Sequence, residues 1–408
     1  MPYIARELER KFLKMNTVFK AVMVTGARQV GKSTMLKHLA EGENRTYVSM
    51  DDPRARELAR TDAKLFFQMY RPPVLIDEVQ KAPELFEQIK ILCDDSDERG
   101  RFWLTGSQSQ KLRKLAGDSL AGRLGILTLY SFSQRELAGV TNVPDIDFSF
   151  VGLQNRAVRA PASDLPATYE HIWRGGMPDV QSLDEEALRS YFDSYVDTYL
   201  LRDAVDDNGV SNTEGFRKLL RACAAFNGQL LNYRDLAAAA GVSNVTAKEW
   251  VQILQSMGIL YLMEPYYSNE LSRLVKTPKL YFCDTGLCAY LSSWTTRDVL
   301  MNGAAAGHYY ENYVVGELLR SLSYGTAGYN INYYRDRDMR EIDIVLEKDG
   351  ILHPLEIKKA SHPDKRAIRS FRILERSGKE VGHGGIICMT DSPFPIDENN
   401  SYIPSWIL

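Results

Sequence analysis

The run GARQVGKST at residues 26–34 directly follows the apolar stretch AVMVT, and these two segments constrain the fold more than any others. The run satisfies the pattern G-x-x-x-x-G-K-S/T at its four fixed positions, Gly26, Gly31, Lys32 and Ser33. In this pattern a strand enters the loop and a helix leaves it, so that backbone N–H groups and the helix N-terminus face one anion. The sequence therefore predicts a phosphate-binding loop within an α/β sheet.

Two side chains of this loop have distinct expected roles. Lys32 supplies a mobile cation near the β- and γ-phosphates, and the Ser33 hydroxyl suits a magnesium ion. The alternative is an ordinary glycine-rich turn before a helix. Nucleotide contacts are predicted for the whole loop: Gly26, Ala27, Arg28, Gln29, Val30, Gly31, Lys32, Ser33 and Thr34.

A second polar segment, VLIDEVQ, places Asp77 and Glu78 at the end of an apolar strand. In a parallel sheet this end lies at the same edge as the phosphate-binding loop. Asp77 is predicted to hold Mg²⁺, and Glu78 to orient or deprotonate the attacking water. Thr105 and Ser107, at the end of the strand in FWLTGS, are placed to sense the γ-phosphate. An exposed acidic turn is the alternative for the Asp77–Glu78 pair.

The alternation of strands and helices predicts several domains in these 408 residues. Short apolar runs (AVMVT, TYVSM, PVLID, RFWLTG, GILTL) alternate with helical stretches, which is typical of a parallel sheet covered on both faces. The predicted domains are 1–145 with the phosphate-binding loop, 146–226 as connector and helical segment, 227–300 as winged helix, and 301–408 as a separate α/β domain.

Composition narrows the range of partners. The formal net charge of -3 excludes a generally basic surface, so any contact with nucleic acid has to be local. The charged start of the chain and the lack of an apolar run of ~18 residues predict a cytoplasmic protein without a membrane partner. The cysteine and histidine spacings match no zinc pattern.

The stretch NYRDLAAAAGVSNVTAKEWVQILQSMGILYLMEPYY has helix-turn-helix spacing followed by a strand, which predicts a winged helix. Only three side chains of its second helix could contact base edges in a DNA groove, Asn244, Lys248 and Gln252. The negative charge of Glu249 would repel the DNA backbone. The predicted winged helix could therefore bind DNA or pack against protein, and both alternatives stay open. Phosphate contacts are predicted for the basic residues of the following loop, Arg273, Lys276 and Lys279.

The stretch REIDIVLEKDGILHPLEIKKA carries a second set of chemically active residues. Side chains two apart in a strand share a face, so Glu356 and Lys358 point together, and Asp343 can lie beside them in an antiparallel pair. Glu311 on the preceding helix can add a carboxylate. Such carboxylates bind a hard divalent cation, and Lys358 can orient water or offset phosphate charge. A solvated hairpin face is the alternative.

The first motifs resemble the AAA-type division of P-loop ATPases. GARQVGKST, VLIDEVQ and LAGR, together with GGMP at 175–178 and YLLRD at 199–203, are similar to a bacterial and archaeal ATP-binding family. That family joins an AAA-type domain to a C-terminal domain of unknown function. The resemblance implies ATP and Mg²⁺ as ligands and γ-phosphate contact by Arg123, in cis or in trans. A surface arginine is the alternative for Arg123.

The order of helix, three strands, helix and strand with D…E-x-K resembles the PD-(D/E)xK nuclease fold. The resemblance implies that Asp343 and Glu356 bind Mg²⁺ or Mn²⁺, that Lys358 is the catalytic lysine, and that Glu311 is an auxiliary acid. Ile342 stands where the proline of the motif belongs. The predicted fold is thus an AAA-type P-loop NTPase with a parallel sheet, then a helical and winged-helix region, then a restriction-endonuclease-like α/β domain.

Two functions fit these features. In the first, ATP hydrolysis drives a DNA-processing enzyme whose C-terminal site cleaves with a divalent metal, as the D…E-x-K residues favour. A basic run from Lys365 to Arg376 would then follow a phosphate backbone, although such runs also serve solubility. In the second, an ATPase switch uses its C-terminal domains as non-cleaving interaction modules, as the near-neutral charge and weak recognition helix favour. The predicted partners are ATP or ADP, DNA, and a homo-oligomer or protein partner.

Overall fold

A computed structural model describes residues 2–107, 112, 116–117, 119–206, 208–267 and 276–408. The chain divides into two compact units. The first contains residues 2–131 with 256–258, and the second contains residues 132–255 and 259–408. The predicted division of residues 146–408 into three domains stays a prediction.

The first unit is built on a five-stranded sheet in which all described pairings are parallel. Its strands lie in the order β2-β3-β4-β1-β5. Every residue of β1 is buried, as expected for a central strand covered on both faces. The predicted α/β fold with a parallel sheet is therefore confirmed. The strands are β1 (Ala21–Gly26), β2 (Thr46–Ser49), β3 (Val74–Asp77), β4 (Phe102–Ser107) and β5 (Leu124–Thr128).

Helices cover this sheet and bury an apolar core. Phe66, Leu85 and Ile89 are fully buried in this core, beside strand residues such as Met23 and Leu104. This packing fixes the sheet whose carboxyl edge carries the loop at residues 26–34. The helices are α1 (Leu8–Asn16), α2 (Lys32–Leu39), α3 (Pro53–Thr61), α4 (Ala63–Met69) and α5 (Leu85–Asp94), and a 3₁₀ turn spans Val79–Lys81.

The second unit begins with helices that contain the predicted amphipathic run from Glu185. A π-helical turn, Val196–Leu200, connects two of them. Among the described residues no helix has both the length and the apolar character needed to cross a bilayer. The helices are α6 (Gln134–Leu137), α7 (Phe150–Ala157), α8 (Leu165–Arg174), α9 (Glu185–Tyr195), α10 (Leu201–Asp206), α11 (Thr213–Ala225), α12 (Tyr233–Ala240), α13 (Asn244–Ser256), α14 (Thr285–Leu291), α15 (Arg297–Asn302) and α16 (Ala306–Tyr324).

A small antiparallel sheet accompanies α12 and α13. Gly241 ends α12 with a φ of 68°, and the Ser243 hydroxyl caps α13 by accepting a hydrogen bond from the Thr246 N–H at 3.1 Å. The sheet order is β6-β8-β7. The two helices and β7 (Leu260–Met263) are the elements on which the winged-helix prediction rests. The strands are β6 (Gln229–Leu230), β7 (Leu260–Met263) and β8 (Lys279–Phe282).

A mixed seven-stranded sheet completes the second unit. Its order is β14-β15-β13-β11-β10-β9, with β12 paired to β11. Ile342 pairs with Tyr334 and Val345 with Asn332, so a β-bulge interrupts the β9–β10 register between those pairs. The strands are β9 (Asn330–Arg335), β10 (Glu341–Lys348), β11 (Ile351–Ile357), β12 (Glu380–Val381), β13 (Gly384–Cys388), β14 (Phe394–Pro395) and β15 (Asn400–Pro404).

The basic segment Lys365–Ser377 differs from the predicted α-helix, because it forms a 3₁₀ helix. Phe371, Leu374 and Ser377 are buried, and Ile368 packs against the same core. These positions recur every three residues, which matches the three residues per turn of a 3₁₀ helix better than a period of 3.6.

His171, on α8, is a buried imidazole whose ionisation opposes folding. Burial, followed by the charge of Arg320, lowers the pKa of His171 to about 3. The Glu317 carboxylate lies 3.8 Å from His171 Nε2 but pairs with Arg320, and the Tyr313 ring packs edge-on against the imidazole. The unfolded chain keeps a pKa near 6.5. Below that pH the unfolded state binds a proton that the folded state rejects, so acid lowers stability.

We therefore expect a His171→Gln variant to resist mild acid better than the wild type does. Each pH unit between 6.5 and about 3 removes about 1.4 kcal/mol of wild-type stability through this residue. Between pH 7 and pH 5, urea unfolding should show the wild type losing about 2 kcal/mol more than the variant. Equal losses in the two proteins would contradict a neutral buried His171.

Candidate functional site

The backbone of the phosphate loop, residues 26–34, requires glycine at its two fixed glycine positions. Gly26 has a φ of 154°, and a Cβ built there would lie 2.2 Å from the Leu129 carbonyl oxygen. Gly31 caps α2 with a φ of 92°. Gln29 also has a positive φ, 60°. Any larger residue at position 26 would push the loop away from the Leu129 backbone, directly after β5, so the sequence pattern corresponds to a steric requirement.

Lys32 folds back over the loop. Its ammonium donates to the Gly26 carbonyl at 3.1 Å and to the Ala27 carbonyl at 2.7 Å, and the residue is 5% exposed. These bonds hold a positive charge at the start of α2, where the helix dipole also favours an anion. The loop is therefore arranged for a polyanion.

Arg6 contacts the same loop and was missed by the sequence reasoning. It is buried, and its guanidinium donates to the Val30 carbonyl at 2.8 Å and to the Tyr130 carbonyl at 2.6 Å. It thereby ties the loop to the chain that follows β5. No local pattern marks Arg6, since its partners are 24 and 124 residues away.

Asp77, at the end of β3, lies beside the phosphate loop as predicted. The Ser33 hydroxyl donates to its Oδ1 at 2.5 Å, and the Tyr47 hydroxyl donates to its Oδ2 at 3.1 Å. The Thr105 hydroxyl also donates to Oδ1. Thr105 is predicted above to sense the γ-phosphate, and that role stays a prediction, while its hydroxyl contacts Asp77 in this arrangement. Tyr47 was not foreseen.

Glu78 has the left-handed backbone conformation, with φ 55° and ψ 45°. Such a conformation is uncommon for a residue with a side chain and clusters at functional sites. The Glu78 N–H donates to the Thr105 hydroxyl at 3.1 Å. The Gln80 amide donates to the Glu78 carboxylate and, at 2.8 Å, to the Ser107 hydroxyl. Gln80 is thus a positioning residue that the sequence analysis did not identify.

The residues around Ser33 and Asp77 fit a magnesium ion. A hydroxyl and a carboxylate meet within hydrogen-bonding distance, next to a loop built for phosphates, and such oxygen ligands suit Mg²⁺. Ser33 and Asp77 are the residues that would hold it. The bound ion would offset negative charge on the phosphate oxygens.

Arg123 lies at the edge of the sheet opposite to the phosphate loop. It directly precedes β5, and its carbonyl accepts from the Ala21 N–H at the start of β1. The five residues of β5 span about 16 Å. Its guanidinium forms a bidentate salt bridge with Asp94, in which Nε lies 2.6 Å from Oδ1 and Nη2 lies 3.0 Å from Oδ2. In this arrangement Arg123 is thus occupied by Asp94, and its contact with a γ-phosphate, in cis or in trans, stays a prediction.

The second group of predicted residues also converges in space. The register that pairs Ile344 with Leu355 places Asp343 opposite Glu356. Lys358 Nζ lies 2.8 Å from a Glu356 oxygen and 3.4 Å from Asp343 Oδ2. We call the group formed by Lys279, Glu311, Glu341, Asp343, Glu356 and Lys358 the carboxy-terminal cluster.

Lys279 enters this cluster from β8. Its ammonium lies 3.0 Å from Glu311 Oε1, 2.6 Å from Glu341 Oε1 and 4.0 Å from Asp343 Oδ1. Lys279 is predicted above to contact phosphate from the loop after β7, but its side chain is only 4% exposed. That prediction is wrong, because a strand buries the residue among carboxylates. Arg273 lies outside the described residues.

Burial and mutual charge shift the ionisation of this cluster. Burial, and next the charge of Asp343, raise the pKa of Glu356 to about 8. Burial likewise raises the pKa of Glu311, against the charge of Lys279. For Lys279, burial alone would lower the pKa, but Glu311, Asp343 and Glu341 raise it above the usual value. The neighbouring carboxylates therefore favour the charged form of Lys279.

The arrangement does not fit a divalent metal in the way predicted for Asp343, Glu356 and Glu311. Glu311 lies on the Lys279 side of Asp343, whereas Glu356 lies on the Lys358 side. Across the part of the chain that the structure describes, no group of three or more His, Cys, Asp or Glu side chains is arranged to hold a metal ion.

Three family models match separate parts of the chain. Residues 18–138 match the AAA domain family, and residues 166–298 and 306–408 match two domains of unknown function, DUF8612 and DUF4143. The first match and the loop geometry agree. Residues 18–138 therefore combine a match to the AAA domain family with the backbone geometry of a phosphate-binding P-loop.

Relatives cover most of the chain. An uncharacterized protein of Mycobacterium tuberculosis is 27% identical over 388 residues, which is 94% of this chain and 80% of the relative. An uncharacterized protein of Haemophilus influenzae is 24% identical over 357 residues, 81% of this chain and 80% of the relative.

Two solved structures show weaker likeness. The Walker-type ATPase of Pyrococcus abyssi has a TM-score of 0.42 and 14% identity, with 71% of this chain and 96% of that chain covered. The RuvB Holliday junction branch migration motor of Thermotoga maritima has a TM-score of 0.30 and 19% identity, with 63% and 89% covered. Scores of this size support no further conclusion.

Proposed function

We propose that this protein is an ATP-hydrolysing switch whose carboxy-terminal modules engage a partner without cutting it. The observation that carries the first part is the convergence of the phosphate loop with Asp77 and Glu78 at one edge of a parallel sheet. The observation that carries the second part is Lys279, which lies among three carboxylates of the nuclease-like sheet.

In this proposal each loop residue has one task. Backbone N–H groups of residues 26–34 and the Lys32 ammonium bind the phosphates of ATP. Ser33 and Asp77 hold Mg²⁺, and Glu78 accepts a proton from the attacking water or orients it. Gln80 restrains the Glu78 carboxylate through its amide bond. ADP and phosphate are the products.

The faces available to a partner are mixed in charge. On α13 the exposed residues include Asn244, Lys248, Glu249 and Gln252, and Val245 is 68% exposed. A single lysine beside a glutamate, with an exposed valine, suits a protein better than a DNA groove. The proposed winged helix is therefore assigned to protein contact.

The proposal also includes a local binding site for a polyanion, formed by a basic segment of the carboxy-terminal domain. The 3₁₀ segment Lys365–Ser377 exposes five basic side chains, of which Arg366, Arg369 and Arg372 recur every three residues on one row, and these would hold the DNA backbone or an acidic protein segment. These side chains are Lys365, Arg366, Arg369, Arg372 and Arg376.

The second candidate is a divalent-metal nuclease. Lys358 Nζ lies 2.8 Å from a Glu356 oxygen and 3.4 Å from Asp343 Oδ2, which supports the interpretation of these residues as a D…E-x-K motif. On this alternative Asp343 and Glu356 bind Mg²⁺ or Mn²⁺, with Glu311 as auxiliary acid, and Lys358 offsets charge on the scissile phosphate. Lys279 has to leave its carboxylates before this site can load a metal.

A DNA degradation assay separates the two candidates. Wild type and Asp343→Ala are incubated with single- and double-stranded DNA and Mn²⁺, with ATP hydrolysis measured in the same samples as phosphate release. We expect phosphate release from both proteins and intact DNA with both. Degradation by the wild type that is lost in Asp343→Ala would establish the nuclease. Equal degradation by both proteins would indicate a contaminant.

A further inference from the structure

Two cavities lie side by side between helices of the second unit. Their volumes are about 200 and 360 Å³, and we call them the aromatic cavity and the polar cavity, in that order. Arg221, Leu291, Ser293 and Trp294 line both, so the two cavities adjoin along these residues. An engineered apolar cavity of about 150 Å³ is large enough to hold benzene. The pair therefore has room for one ring and for a polar group attached to it.

The aromatic cavity is lined by rings that neighbouring contacts hold in place. These rings belong to Trp173, Phe192, Tyr290 and Trp294. Phe192 and Tyr290 stack with their ring centres 5.6 Å apart, and the Tyr290 hydroxyl donates to the Asp193 carboxylate. The Trp173 indole N–H donates to the Trp294 carbonyl at 2.9 Å. Rigid aromatic walls of this kind suit a flat apolar group.

The wall that both cavities share is fixed by the turn that ends α14. The Ser293 N–H donates to the Tyr290 carbonyl, and the Trp294 N–H donates to the Ala289 carbonyl, both at 3.0 Å. This is the Schellman pattern, in which glycine usually takes the left-handed position that Ser293 occupies with a φ of 60°. The turn sets the Trp294 side chain between the two cavities.

The polar cavity contains a buried hydrogen-bond donor that lacks an acceptor. Asn227 lines this cavity and is 2% exposed. The Phe282 N–H donates to its Oδ1 at 3.4 Å, which identifies the oxygen of the amide. Among the described residues, its Nδ2 has no hydrogen-bond partner. Burying an unpaired donor is unfavourable, so an oxygen of a ligand at this position would be stabilising.

The charges around the two cavities are unevenly distributed. The exposed Arg221 guanidinium lines the polar cavity, whereas no aspartate or glutamate is among the described residues that line it. The acidic side chains Glu185 and Asp193 line only the aromatic cavity. The polar cavity is therefore the one that favours a negative charge.

The two linings together select a ligand with an apolar ring and an anionic end. We propose that this site binds a carboxylate that carries an aromatic ring. The ring enters the aromatic cavity, and the carboxylate accepts hydrogen bonds from Arg221 and Asn227 Nδ2 in the polar cavity. Such a group occurs in a free aromatic acid and in the carboxyl-terminal aromatic residue of a peptide. The site uses no residue of the phosphate loop or of the carboxy-terminal cluster, so it goes beyond the proposed function.

A binding titration with a matched pair of ligands tests this inference. Hydrocinnamate and its neutral amide, which differ in the charge of the end group, are titrated into the full-length protein and followed by ligand-observed NMR. We expect a Kd on the order of 1 mM for the acid and at least ~10-fold weaker binding of the amide. Arg221→Gln should weaken binding of the acid by about 10-fold and leave that of the amide unchanged. Lys218→Gln removes an exposed lysine from the same helix, one that lines neither cavity, and should bind both ligands as the wild type does.

Further measurements identify the source of the ligand and the role of Asn227. The peptide N-acetyl-Ala-Ala-Phe with a free carboxyl end should bind more tightly than hydrocinnamate if the natural ligand is a protein terminus, and more weakly if it is a free acid. Asn227→Asp keeps the oxygen that accepts from Phe282 and removes the unpaired N–H, so it should weaken binding of the acid by about 10-fold. Should this variant fail to fold, Arg221→Gln decides alone, because its side chain is exposed on α11.

Three results would overturn the inference. The first is no detectable binding of hydrocinnamate or of the peptide at about 10 mM. The second is equal affinity of the wild type for the acid and the amide. The third is a loss in Lys218→Gln as large as that in Arg221→Gln, which would indicate a general effect of surface charge. Phosphate release from ATP by the same proteins reports separately on the proposed ATPase.

Discussion

A Lys32→Ala variant is expected to bind ATP with Mg²⁺ at least ~100-fold more weakly than the wild type does. The Lys32 ammonium is buried against the carbonyls of Gly26 and Ala27, so the loop keeps a charge of fixed position beside the bound phosphates. Each charge-assisted hydrogen bond lost on truncation costs about 1.5–3 kcal/mol. Isothermal titration calorimetry measures the difference.

Two controls separate lost binding from lost folding. Lys64→Ala removes an exposed lysine of α4 in the same unit, and its affinity for ATP should equal that of the wild type. A thermal unfolding curve of Lys32→Ala should retain one cooperative transition, since alanine is a good helix former at the first position of α2. Unchanged affinity in a folded Lys32→Ala protein would remove the basis for an ATP site at residues 26–34.

The sequence predicts the first unit well because its signals are local. The strands AVMVT and PVLID become β1 and β3, and the loop between β1 and α2 follows from fixed glycine spacing. Glycine is needed at position 26 because the Leu129 backbone, directly after β5, approaches closely, but the four-position pattern already encodes that need. Asp77 also meets Ser33 as predicted, since parallel strands share one carboxyl edge.

Contacts between distant segments could not be predicted from local sequence patterns of this kind. Arg6 reaches the phosphate loop from the amino-terminal segment, and Tyr47 reaches Asp77 from β2. Neither residue has a spacing that marks it. Arg123 is a different case, because a family position suggested phosphate contact while the strand direction places the residue at the amino edge of the sheet, beside Asp94. Its position directly before β5 was available from the sequence, and its contact with phosphate stays a prediction.

The carboxy-terminal cluster contains residues that local sequence patterns predict and one residue that they do not. The turn between β10 and β11 fixes the register, so Asp343, Glu356 and Lys358 were predictable as neighbours. Glu341 was predictable too, since it lies two residues before Asp343 on the same strand. Lys279 was not, because nothing within β8 indicates that α16 and β10 will bury its ammonium.

A Glu78→Gln variant is expected to bind ATP as the wild type does and to hydrolyse it at least ~100-fold more slowly. Glutamine keeps the length and the hydrogen-bonding capacity of the side chain, so the bond from Gln80 and the left-handed backbone at φ 55° persist. What disappears is a carboxylate able to take a proton from water. Steady-state phosphate release and calorimetry on the same sample give the two quantities.

The proposed roles of Glu78 and Asp77 predict different effects on ATP binding and on turnover. Asp77 accepts from the Ser33, Tyr47 and Thr105 hydroxyls, so Asp77→Asn should weaken Mg²⁺-dependent ATP binding as well as turnover. Glu87→Gln, on the exposed side of α5, removes a carboxylate of the same chemistry and should change neither. Turnover that survives Glu78→Gln would transfer the proton-accepting role to another group. Weakened binding in that variant would instead make Glu78 part of the nucleotide-binding site, because a group that acts only on the attacking water contributes little to ground-state affinity.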